Sequence, residues 1–176
     1  MKLLLLIFIV QAVLQTIYLP ASQGAVQPVA VRLIERTCKQ TPLYNVCVSI
    51  LKSDSRSSKA DVTRLALIMV DALKAKATGT MNYIKTLLRG NLKGDVRRGL
   101  SSCADLYNAV LEADVPVAIE ALQKGDPKFA EQAANDAGIE AKSCESSFSG
   151  YSPLTKSNKS LQDVSAVAAA IVKLLL

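Results

Sequence analysis

From Gln27 to the C-terminus, apolar residues recur every three or four positions and strand-like alternation is almost absent. That periodicity predicts helices. A short one covers Val29 to Arg36, and Thr41-Pro42 separates it from a second over Leu43 to Leu51. The polar run from Ser53 to Lys59 then reads as a linker. A long helix is expected over Ala60 to Leu88, with Leu65, Met69, Ala72, Ile84 and Leu88 at helical spacing and a weak point at Thr78, Gly79 and Thr80. Gly90, Gly94 and Gly99 predict a loop or short irregular segment.

The next helix is expected from near Leu100, with a stripe of Leu106, Val110, Ala113, Val117 and Ala121 and a kink at Pro116. It stops at Lys124-Gly125, where a cation closes the last turn and a glycine follows. Asp126 and Pro127 restart the chain as N-cap and first helical residue. Ala130, Ala133, Ala137, Ala141, Cys144 and Phe148 form the buried stripe that follows. Gly150 to Ser157 connects it to a final helix over Asn158 to Leu174, with Leu161, Val164, Ala168, Ile171 and Leu175 on one face. The fold expected is all-α. An N-terminal helical hairpin (25–58) precedes an up-down-up-down four-helix bundle (59–176).

The first 24 residues break the pattern. Lys2 precedes an apolar run from Leu3 to Leu14, interrupted only by Gln11, and small and polar residues follow from Pro20 to Ala25. A cationic start, an apolar stretch too short to span a bilayer and a small-residue end describe a signal peptide over 1–24, rather than a first amphipathic helix. Export leads to an oxidising compartment, so Cys38, Cys47, Cys103 and Cys144 read as two disulfides. Of the three possible pairings, local spacing favours Cys38–Cys47 with Cys103–Cys144. In a loop-entropy picture these contribute roughly 3 and roughly 4 kcal/mol. No CxxC pair and no histidine occur, which excludes an ordinary zinc site.

The net charge is +6, of which Lys2 carries one, and the cations are scattered apart from Arg97-Arg98. No basic residues interleave with aromatics, so no nucleic-acid surface is expected, although a basic protein is drawn to acidic partners or wall polymers. Without histidine, Ser-His-Asp and Cys-His chemistry is impossible. Asp136 and Glu140 lie one turn apart and read as solvated surface rather than a catalytic pair. The glycines near residue 90 lack a phosphate-loop pattern. No enzyme activity, cofactor or metal is therefore expected. A pH response between about 5 and 8 must come from a partner or from a perturbed carboxylate. Asn158 opens a glycosylation sequon, expected in a loop before the last helix. Val164 to Leu176 is apolar enough for a lipid-anchor signal, but Lys173 and the three-four stripe argue for a core helix and no membrane anchor. Carriage of an apolar ligand needs a cavity, which the small residues Ala130, Ala133 and Ala137 disfavour.

The segment from Gly125 to Phe129 has two readings. In the first it is only a helix start: Asp126 caps, Pro127 fixes the first turn, Lys128 is solvated and Phe129 packs inward. In the second, a rigid turn presents a cation beside an aromatic ring, preorganised for insertion into a cleft. A lysine between the two carboxylates of a glycosidase, with a ring against the sugar subsite, makes a physically sensible plug.

The run from Thr37 to Pro42, Cys47 nine residues after Cys38, the stretch from Leu65 to Ala77, Cys103, the stretch from Glu120 to Ala130, Cys144-Glu145 and the closing Ala170 to Leu175 together resemble the plant invertase and pectin methylesterase inhibitor family. Within it, the Pro127-Lys128-Phe129 triplet resembles the cell-wall and vacuolar inhibitors of β-fructosidase rather than the methylesterase branch. The resemblance covers essentially the whole mature chain. It implies the same fold and disulfide pairing. It also implies insertion of the triplet into the substrate cleft of acid invertase in a one-to-one complex: Pro127 sets the turn, Lys128 meets the acidic cleft and Phe129 fills an apolar subsite. The alternative is a methylesterase inhibitor that binds through the bundle surface. The apoplast is the default destination and the vacuole the alternative.

Overall fold

The computed structural model describes residues 29–176, so the signal peptide expected over 1–24 lies outside the described residues. Helices α1 (Val29–Cys38) and α2 (Tyr44–Ser53) form the N-terminal hairpin. Cys38 is bonded to Cys47 across it, with Cα atoms 5.5 Å apart. Thr41 closes the turn by donating its hydroxyl to the Cys38 carbonyl at 2.8 Å, and Lys52 reaches back to Glu35 at 3.1 Å. The polar run expected as a linker is ordered. Asp54 accepts from the Arg56 backbone N–H at 2.9 Å and starts a 3₁₀ helix over Ser55–Lys59. The Arg56 guanidinium then joins Asp54 to Asp71 of α3 (Val62–Leu88), at 2.7 Å each. Short polar side chains bonding their own backbone turn a polar composition into a fixed elbow.

Asp61 caps α3 by accepting from the Arg64 N–H at 2.8 Å. The helix runs unbroken through the weak point expected at Thr78 to Thr80, because Ala77, Thr80 and Met81 are buried there. Their packing outweighs a glycine penalty of about 1 kcal/mol. Helix α4 (Gly94–Ala109) begins ahead of the expected Leu100, so Gly94 and Gly99 are helical rather than part of a loop. Gly99 serves close packing: a Cβ there would meet Phe148 Cε1 at 2.7 Å and the Ser147 carbonyl oxygen at 3.1 Å.

The kink expected at Pro116 takes another form. A π-helical turn over Val110–Asp114 carries α4 into α5 (Val115–Lys124) without interruption. Proline lacks an N–H and its ring crowds the carbonyl four residues back; widening the preceding turn relieves both problems. The extra residue changes the phase of the helix by about 100°. Cys103, Tyr107 and Val110 are buried, and the next buried position is Val115, followed by Ala118, Ala121 and Leu122. Two members of the expected stripe, Ala113 and Val117, face solvent instead.

Helices α6 (Pro127–Ser146) and α7 (Thr155–Lys173) complete the bundle, whose arms are α3, the α4–α5 run, α6 and α7. The alanine stripe of α6 is buried as expected, and its small side chains let α7 approach closely. Leu161, Val164, Val167, Ala168, Ile171 and Val172 make α7 a core helix. Among the described residues no helix is long and apolar enough to cross a membrane.

Three arms meet at a polar seam. Cys103 of α4 is bonded to Cys144 of α6, with Cα atoms 4.7 Å apart. One turn along α4, the fully buried Tyr107 donates its hydroxyl to Asn158 Oδ1 at 2.9 Å. Asn158 Nδ2 donates to Glu145 Oε2 at 2.6 Å, and the Thr155 hydroxyl donates to Glu145 Oε1 at 2.6 Å. Asn158 is therefore inside α7, with no exposed surface and its amide nitrogen committed. This corrects the expected loop position of the sequon: Asn158 lies in a helix and its side chain is enclosed. Burial, reinforced by the Glu145 charge, pushes the Tyr107 hydroxyl pKa up to about 12, so it stays a donor. Tyr107→Phe leaves Asn158 Oδ1 without that donor in the core, and denaturant unfolding should show a loss of about 1–3 kcal/mol.

Candidate functional site: the α5–α6 turn

Helix α5 ends at Lys124, and the chain reverses through Gly125 and Asp126 alone. Gly125 adopts the left-handed conformation, φ 77° and ψ 31°, the only positive φ among the described residues. Its N–H and that of Asp126, the latter at 2.8 Å, both donate to the Ala121 carbonyl. Backbone groups thus close α5, and the reversal is rigid without any side-chain brace. Asp126 occupies the N-cap position of α6, but its side chain makes no capping bond, contrary to expectation. Pro127 takes the first helical position as expected, where its missing N–H costs nothing.

Lys128 and Phe129 project from this corner. Lys128 is exposed and, among the described residues, belongs to no ion pair, whereas Lys124 one turn earlier is neutralised by Glu120. Phe129 is 59% exposed. A helix start serving only the fold would turn this ring inward; here Ala130, the next residue, takes the buried position. Burying such a ring is worth about 1.5–3 kcal/mol, so its exposure forgoes stability. The ring lines an open cleft of about 360 Å³ together with Val117 and Ala121 of α5 and Asp126 of the turn.

Behind the turn lies a group that the sequence pattern did not single out. Asp114 ends the π turn, and its Oδ2 is buried without a hydrogen bond. Val70 and Leu73 of α3 and Ala133 and Ala137 of α6 pack around it, leaving no space for a water molecule. Burial pushes its pKa up to about 6, and the charges of Asp136 and Glu140 on α6 add to the shift. Those two carboxylates are half-buried, not the solvated surface pair expected. The available signal was Asp114 lying four residues from both Val110 and Ala118, at core spacing.

The disulfide-stapled helical bundle thus presents a rigid turn that carries an unpaired cation and an exposed ring. Residues 32–171 match the family model described as Plant invertase/pectin methylesterase inhibitor, and the chain belongs to that family. It is similar to the cell wall / vacuolar inhibitor of fructosidase 1 of Arabidopsis thaliana, 49% identical over 139 residues, or 79% of this chain and 67% of that one. The cell wall / vacuolar inhibitor of fructosidase 2 of the same plant is 46% identical over 76 residues, 43% of this chain and 42% of that one. A solved structure of a mutant form of a pectin methylesterase inhibitor from Arabidopsis shares the fold, with a TM-score of 0.69 at 20% identity, covering 79% of this chain and 94% of the other. The family consists of inhibitors of enzymes, and this chain is not itself an enzyme.

Two outcomes are expected from the turn and its support. Gly125→Ala places a Cβ at φ 77° and should cost about 1–2 kcal/mol in denaturant unfolding. Asp114 has a folded pKa raised from 3.8 to about 6. The folded state therefore holds a proton that the unfolded state has released, and stability falls as pH rises through that window. Asp114→Asn should flatten this slope: its melting temperature should exceed that of the wild type at pH 7, with the gap closing towards pH 4.

Proposed function

We propose that the protein is an exported inhibitor of plant acid invertase, forming a one-to-one complex in which Pro127, Lys128 and Phe129 plug the substrate cleft. The observation that carries this reading is the exposed Phe129 beside the unpaired Lys128 on a two-residue reversal locked by backbone hydrogen bonds. A cleft that hydrolyses a glycosidic bond holds two carboxylates a few ångströms apart, flanked by surfaces that pack sugar rings. Lys128 meets the carboxylates as a point charge, and Phe129 replaces the apolar face of the sugar. Pro127 and Gly125 hold both in place before contact, so little conformational entropy is lost on binding. The similarity to fructosidase inhibitors supports invertase as the target. Residues 1–24 direct export and are removed, and the inhibitor acts in the apoplast, with the vacuole as the alternative site.

The test is inhibition of purified acid invertase and of pectin methylesterase, side by side near pH 5, by the refolded mature chain. Selective loss of sucrose hydrolysis is expected. Lys128→Ala and Phe129→Ala should each weaken inhibition about 30-fold or more, as interface hot spots do, with helical circular dichroism unchanged. Selective loss of methylesterase activity would reduce the triplet to a helix start and transfer the function to the bundle faces.

A further inference from the structure

We infer that the enzyme contacts the α5 face as well as the turn, seating an apolar side chain from the rim of its cleft between Val117 and Phe129. This inference rests on the proposed function and extends it to a specificity-determining surface. Val117 is 45% exposed and Phe129 59% exposed, and with Ala121 they line the same open cleft of about 360 Å³. That volume accommodates an aliphatic or aromatic side chain, and the walls are preformed: Val117 sits on a helix and Phe129 in the first turn of another. Glu120 and Lys124, paired with each other, line the cleft and add no net charge, whereas Asp126 of the turn also lines it and belongs to no ion pair among the described residues. The apolar walls formed by Val117, Ala121 and Phe129 therefore stand beside one unpaired carboxylate, that of Asp126, and the free cation of Lys128.

Val117 reaches this surface through the π turn. In an uninterrupted α-helix its spacing from Leu106, Val110 and Ala113 would bury it with the core stripe. The residue added ahead of Pro116 turns Val117 out towards Phe129 and brings Val115 and Ala118 in. An exposed branched aliphatic side chain contributes little to the fold; beside an exposed ring it extends the apolar surface available to a partner. The two residues come from opposite sides of a reversal fixed by Gly125, so a side chain entering between them reads their separation. A target whose rim carries a polar group at that point would be bound less well.

The experiment measures the inhibition constant against purified acid invertase for the full mature chain and four variants: Val117→Glu, Val117→Leu, Ile139→Glu and Lys128→Ala. Ile139 is 57% exposed on α6, about 15 Å along the helix from Phe129, and serves as the control for added surface charge. Val117→Glu should weaken inhibition tenfold or more, while Val117→Leu and Ile139→Glu stay near the wild type and all four keep their helical signal. Full inhibition by Val117→Glu overturns the inference, as does an equal loss from Ile139→Glu. Lys128→Ala reports separately on the plug: if it loses inhibition while Val117→Glu does not, the proposed function stands and the α5 contact is removed. If Lys128→Ala inhibits normally, the proposed function fails, and the α5 contact falls with it.

Discussion

The register of the bundle depends on the seam where Tyr107, Asn158 and Glu145 meet beside the Cys103–Cys144 bridge. Each of these polar groups satisfies another, and the low surrounding polarity strengthens the bonds that are made and penalises any left open. The disulfide removes unfolded-state entropy; the hydrogen bonds select one arrangement of α4, α6 and α7. Gly99 belongs to the same constraint, since only a residue without a Cβ lets α4 come so close to Phe148.

That seam lies near the C-terminal end of α6, about 25 Å along the helix from Pro127 at 1.5 Å per residue. The polar seam and the exposed turn thus sit at opposite ends of one helix. The turn itself adds little to the core. It is held by backbone bonds to the Ala121 carbonyl, and it spends its side chains outward. Rigid elements on both sides hold Lys128 and Phe129 exposed in one arrangement.

Between the two ends, the π turn sets which residues of α5 are inside. It rotates Val117 out, brings Val115 in and leaves the Asp114 carboxylate half-sheltered against Asp136 and Glu140. Burial disfavours the charged form of that carboxylate, so this one group opposes folding increasingly as pH rises from 3.8 towards about 6. The chain has no histidine, so a pH response between about 5 and 8 comes from a partner or from a perturbed carboxylate, and Asp114 is one such carboxylate.

Most of the architecture was legible from local rules. Helical periodicity, the Thr41-Pro42 break, the Lys124-Gly125 stop and the Asp126-Pro127 restart each reflect backbone chemistry acting over a few residues, and that chemistry is the same in any context. The turn that carries Pro127, Lys128 and Phe129 was likewise visible as a rigid corner. Tertiary packing decided the rest. Whether Phe129 points in or out depends on which residue of α6 faces α5, a matter of register between helices. Gly79 stays helical, and Gly94 and Gly99 join a helix, because neighbouring burial and close approach outweigh an intrinsic preference of about 1 kcal/mol. Asn158 looks like a surface sequon until Tyr107 and Glu145, distant in sequence, enclose it. The π turn escapes a pattern search because it changes the period itself, and only the partners packed around Val110 and Val115 reveal the new phase.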